Sequence, residues 1–159
     1  MNLHKLIALA QRAIAALEGA QPLAQLAARL YVAQVFFQSG LTKLRNWDTT
    51  VELFTHEYQV PLLSPEWAAL LGTAGELALP VLLALGLAGR FAALGLSVVN
   101  AVAVISLPEI APAALQQHIL WGCLLIGLVL WGPGRWALDR FAQAWLQQRA
   151  PRAGYTRTA

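Results

Sequence analysis

Charge is what this chain has least of. Acidic and basic residues make up 12% of it, against 58% hydrophobic residues, whereas about a quarter of an ordinary soluble domain is charged. That shortage excludes a soluble globular protein, and 159 residues leave room for a single membrane-embedded domain. Cysteine occurs once, at Cys123, which excludes an intramolecular disulfide and any CxxC exchange carried by the chain alone. Histidine and methionine are scarce as well, with three His and one Met at the very start. His118 has no second embedded His or Met to complete a haem axial pair, and copper would find only Met1 and an isolated Cys123. Gly-rich phosphate loops, nucleophile triads and metal-binding helix motifs are also missing, so soluble-enzyme chemistry is not expected and no metal site is assigned. The basic balance, +3 with a pI near 9.5, does not point to nucleic acid. The cations are spread along the chain and gather at its C-terminus, as membrane topology requires.

What is present is a succession of apolar helical stretches. Residues 1–21 place Leu3, Ile7, Ala10, Ile14 and Leu17 at helical spacing among His4, Lys5, Arg12 and Glu18, which reads as an amphipathic interfacial helix. The apolar run Leu6 to Ala10 is too short for a signal peptide, and Arg12 interrupts it. Pro22 opens a four-span membrane domain over 22–140, with spans at about 23–43, 67–86, 90–107 and 113–131. Between the first two lies a loop, Asn46 to Pro65, in which Thr49 to Tyr58 reads as a short surface helix capped by Asp48 or Thr49. Gly86 to Gly89 makes a tight turn, Pro108 to Pro112 breaks the chain again, and Gly132-Pro133-Gly134 closes the last span. Residues 141–159 form an amphipathic and basic tail. The expected fold is therefore all-α, a four-helix transmembrane bundle with an N-terminal interfacial helix and a basic C-terminal tail.

Within the second span, Trp67 to Gly86 holds a single ionisable group, Glu76. A helix of that length is about 30 Å long and matches a bilayer core, so Glu76 lies roughly halfway across. A bare charge there costs at least about 2.5 kcal/mol, so the carboxylate must be paired, protonated or turned to a polar cavity. Ala68 and Gly72 precede it at four-residue intervals and line its face with small side chains. Pro80 has no N–H to offer the Glu76 carbonyl. A structural ion pair and a functional site both satisfy these requirements.

The first span carries two polar faces. At 100° per residue Gln25, Arg29, Ser39, Gly40 and Lys43 share one side, expected to face other helices, while Gln34, Gln38 and Thr42 lie opposite. Lys43 and Arg45 can snorkel at the helix end, whereas Arg29 has less room to do so. Counting residue rise from the outer surface puts Glu76 about 15 Å down and Arg29 about 21 Å down, a gap that an arginine side chain can close. Arg29 with Glu76 is thus the expected ion pair, with Ser39, Lys43, Asn100 and His118 above it in a pocket opening outward. His118 reads first as a hydrogen-bonded interface residue, with proton carrier or ligand as alternatives. Four spans put both termini on one side. If that side is the cytoplasm it receives eight cations (Lys5, Arg12, Arg90, Arg135, Arg140, Arg149, Arg152 and Arg157), against Lys43 and Arg45 outside.

Taken with their spacing, Arg29, Ser39-Gly40-Leu41-Thr42-Lys43, Ala74-Gly75-Glu76-Leu77 and Gly86 followed by Arg90-Phe-Ala-Ala-Leu resemble the DoxX family of small four-helix membrane proteins, over about residues 22 to 140. Family members include the small subunit of a thiosulfate:quinone oxidoreductase. The resemblance implies a bacterial inner-membrane protein in quinone-linked redox or in support of it. A further likeness, in Trp47-Asp48-Thr49-Thr50 and His118-Ile119-Leu120-Trp121-Gly122, is to DoxX-like proteins that accompany small metal-handling peptide systems. The leading expectation is an accessory or subunit of an oxidoreductase system whose pocket binds a quinone headgroup or relays protons. No cofactor is held covalently, and the partners are the lipid bilayer and a protein of the oxidoreductase or metal-handling system. A non-catalytic scaffold and a small-molecule or ion transporter are the alternatives, and whether the chain is an enzyme or a homo-oligomer stays open.

Overall fold

The computed structural model describes residues 3–142, and the expected basic tail lies outside the described residues from 143 on. Within these, α1 (Leu3–Arg45), α2 (Trp47–His56), α3 (Pro65–Leu85), α4 (Gly89–Ser106) and α5 (Pro112–Trp131) follow in order, and residues 138–142 are again helical. By length and composition α3, α4 and α5 are each able to cross a bilayer. Their bounds fall within two residues of the spans expected from hydropathy.

α1 departs from expectation. Instead of an interfacial helix followed by a separate span, one helix of 43 residues runs through Pro22. Proline withholds only its own N–H, here from the carbonyl of Glu18. Glu18 is exposed, so water can serve that acceptor and the helix need not end. The resulting rod is about 65 Å long, twice the apolar thickness of a bilayer. Every residue from Leu3 to Gln21 is exposed, and burial begins at Pro22. Beyond that point the two faces behave as their periodicity requires. Arg29 and Gly40 are buried and Gln25, Ser39 and Lys43 half-buried, while Gln34, Gln38 and Thr42 are exposed.

This second half of α1 packs on α3 and α5, and α4 packs on α3 and α5 in turn. The four share a core of Val32 and Phe36 from α1, Leu83 from α3, Leu96 from α4, and Leu125 and Leu128 from α5. Gly40 sets the closest approach of α1 and α3. A Cβ there would stand 2.9 Å from Leu77 Cγ and 3.1 Å from Glu76 Cβ, so only glycine lets the helices cross at this level.

α2 starts two residues before the expected Thr49 and is capped by Asn46, not by Asp48 or Thr49. The extended backbone of Asn46 lets its side-chain oxygen accept from the Thr49 amide at 3.1 Å. Asp48 falls in the first turn instead, where a negative charge suits the helix dipole. α2 is more than a surface helix. Phe54 packs on Ala68 and Ala69 of α3, and the Thr50 hydroxyl donates to the Lys43 carbonyl at 2.8 Å. The following loop is tied to the end of α4 by the Gln59 amide, which donates to the Ser106 carbonyl at 2.8 Å. α2 and the loop after it therefore roof the C-terminal ends of α1 and α4 and the N-terminal end of α3.

Candidate functional site

Glu76 is 7% exposed, about midway along α3, and its partner is Lys43. The Lys43 ammonium lies 2.6 Å from Glu76 Oε2. It also donates to Ser39 Oγ at 3.0 Å, and Ser39 Oγ donates to Glu76 Oε1 at 3.3 Å. Three groups from two helices close a ring, which satisfies the carboxylate twice over.

Arg29 takes no part, which corrects the expected Arg29–Glu76 pair. Its guanidinium donates to the carbonyls of Pro133 at 2.6 Å, Ala84 at 3.0 Å and Trp136 at 3.5 Å. The depth count failed because it levelled Lys43 with Glu66, whereas the Gly40 crossing levels Gly40 with Glu76 and Leu77. From that level Lys43 is about 4.5 Å along α1 toward its C-terminal end, and Arg29 about 16 Å the other way. Lysine reaches the acid; arginine cannot. Lys43 is thus held inward, and only the exposed Arg45 is placed to snorkel.

Asn100 and His118 do come together. Asn100 Nδ2 donates to the His118 carbonyl at 3.0 Å, and Asn100 Oδ1 lies 2.8 Å from His118 Nδ1. With the amide oriented to serve both contacts, Nδ1 carries the proton and Nε2 is left as an acceptor. The imidazole also meets Trp121 edge to face at a centroid distance of 4.9 Å.

Both clusters border one cavity of about 360 Å³ under α2. Lys43, Ser39 and Glu76 stand on one wall, His118 and Trp121 on another, and Phe36, Val99 and Val102 supply apolar surface between them. Phe54 and Tyr58, stacked at 4.9 Å, close the top. Sequence reasoning missed these two as site residues, although the i, i+3, i+7 spacing of Val51, Phe54 and Tyr58 marked an apolar face on the expected short helix. The Tyr58 phenol lies outside the spans and is pushed above its ordinary pKa by burial first, then by the negative charges of Glu76 and Glu57. Among the described residues no three His, Cys, Asp or Glu side chains gather in a metal-binding group.

An ion pair, a serine and an imidazole facing an apolar chamber between membrane-length helices define a multi-pass membrane protein with a small-molecule-sized pocket. The DoxX family profile matches residues 24–108, more than half of the chain, and the protein belongs to the DoxX family. That match takes in Lys43, Glu76 and Asn100 and stops before α5, which carries His118. No curated protein and no solved structure matches the chain significantly.

Proposed function

We propose that the cavity under α2 binds the headgroup of a quinone, and that the protein is an accessory or subunit of an oxidoreductase system in the bacterial inner membrane. In this reading the second half of α1 is a fourth span beside α3, α4 and α5, with both termini in the cytoplasm. The observation that carries the reading is an ion pair on the wall of a largely apolar chamber between membrane-length helices. Desolvating such a pair is costly where packing alone is needed, whereas a ligand site needs a few polar groups in an apolar pocket of about 300–1,000 Å³. A quinone ring with two carbonyls suits that lining. The Lys43 ammonium donates to one carbonyl oxygen, and Ser39 and Glu76 hold it in place. Reduction to the hydroquinone takes two electrons, supplied by a partner protein, and two protons. In this reading Lys43 with Glu76 passes the protons, and His118 Nε2 accepts a hydrogen bond from the hydroquinone hydroxyl. The test is titration of the purified protein with a short-chain quinone. Saturable binding that weakens about tenfold or more in Glu76→Gln is expected; absent or unchanged binding overturns the reading.

A non-catalytic scaffold, docking a partner through its acidic outer loop, is the second reading. It is favoured by the position of the ion pair at the tight Gly40 crossing, where a salt link would hold helix register. Glu76→Gln would then lower the amount of protein in the membrane, and any partner activity only in proportion.

A further inference from the structure

A second, larger cavity opens at the opposite end of the molecule, where the α3–α4 turn and the end of α5 come together. It measures about 720 Å³. Arg90, Arg135 and Arg140 line it, along with the aromatic residues Phe91 and Trp131. Two acids, Glu18 and Asp139, also border it. Asp139 is committed elsewhere: its carboxylate oxygens accept from the Ala88 and Gly89 amides at 2.9 and 3.0 Å, capping α4. Among the described residues none of the three arginines makes a salt bridge, the sole such contact being Lys43 with Glu76. Arg90 is anchored by a single bond, Nη2 to the Leu130 carbonyl at 3.4 Å, so its remaining N–H groups are available. The wall is firm, because Arg29 and Gln25 hold the Gly132-Pro133 segment through its carbonyls.

The level of this cavity matters as much as its charge. It lies at the ends of three membrane-length helices, with Phe91 and Trp131 at 65% and 70% exposure beside it. Exposed aromatic rings at helix ends mark the headgroup layer of a bilayer. Guanidinium groups that form no salt bridge with the neighbouring Glu18 and Asp139 carboxylates are suited to bidentate bonds with phosphate oxygens. We propose that this cavity is a binding site for the phosphate of an anionic phospholipid, with Arg90, Arg135 and Arg140 as its ligands and the acyl chains lying along Phe91 and Trp131. The site is independent of the quinone reading and lies at the other end of the bundle.

The experiment is native mass spectrometry of the full chain in neutral detergent, with phosphatidylglycerol, phosphatidylcholine or inorganic phosphate added. Retention of phosphatidylglycerol over phosphatidylcholine is expected, with affinity falling about fivefold for each arginine removed in Arg90→Gln and Arg135→Gln. Arg45→Gln, at the opposite end, should leave retention unchanged, and far-ultraviolet circular dichroism checks that each variant keeps its helices. Equal retention of both lipids, or no loss in the folded arginine variants, overturns the proposal. Displacement of the lipid by millimolar inorganic phosphate would identify a soluble phosphate site and also overturn it.

Discussion

Arg29 and Lys43 both point from α1 into the protein, yet one ends on peptide carbonyls and the other on a carboxylate. Arg29 is 2% exposed and spreads its guanidinium over the carbonyls of Ala84, Pro133 and Trp136, which belong to the end of α3 and the segment after α5. It joins backbone segments that have no regular hydrogen-bonding partners, a task for a planar donor fork. Lys43 instead brings a compact, mobile charge to Glu76 at the edge of a chamber. The first arrangement leaves nothing for a ligand to contact. The second presents a donor and a carboxylate to whatever enters. Burial of a charge in this protein therefore serves architecture at one end and, in the function proposed above, recognition at the other.

The comparison can be broken most severely at Arg29. Arg29→Met leaves three part-buried carbonyls without their donor and a polar cleft where the buried guanidinium sat, and about 3 kcal/mol of stability should be lost, seen as a large drop in the thermal midpoint in detergent. Arg29→Lys should rescue little of it, because an ammonium cannot reproduce the fork. Gly40→Ala comes next, at about 1–3 kcal/mol, since its Cβ would press on Leu77 and Glu76. Quinone binding should weaken with it as the ion pair is displaced.

Lys43→Met and Glu76→Gln should cost less stability than Arg29→Met and about as much as Gly40→Ala, about 1–3 kcal/mol each, but more in ligand binding than either preceding variant. A double-mutant cycle sharpens the contrast. Coupling of about 0.5–3 kcal/mol between Lys43 and Glu76, beside none between Arg29 and Glu76, is the expected result. The smallest effect belongs to Tyr58. Its folded pKa is raised, so the unfolded chain loses this proton first, and stability should fall as pH climbs above ~10. Tyr58→Phe should remove that alkaline fall and leave stability at neutral pH nearly unchanged. Denaturation followed across pH 8 to ~11 distinguishes the two proteins.

Much of this was legible in advance. The three spans α3 to α5, the inward stripe through Arg29, Gly40 and Lys43 and the tight turn at Gly86 all follow from hydropathy, periodicity and turn residues, whereas the hydrogen bonds between Asn100 and His118 do not. The partner of Glu76 did not, because a count of residue rise fixes depth along one helix and says nothing of how far its neighbour slides. The continuity of α1 through Pro22 was missed because a helix breaker was read as a boundary, where exposure of Glu18 lets water take the orphaned carbonyl. The roofing role of α2 was missed because a ten-residue amphipathic helix does not declare whether its apolar face meets lipid or protein.

The sequence by itself determined that this is a helical membrane protein of the DoxX family with one acid that must find a partner in oil. Those properties are local, arising from side-chain transfer energies and the period of a single helix. Only the tertiary structure decided that the partner is a lysine, that the arginine is spent on backbone carbonyls, and that a chamber opens between Glu76 and His118. Each of these depends on helix register, which is set where Leu77 seats against Gly40 and cannot be computed from either helix alone.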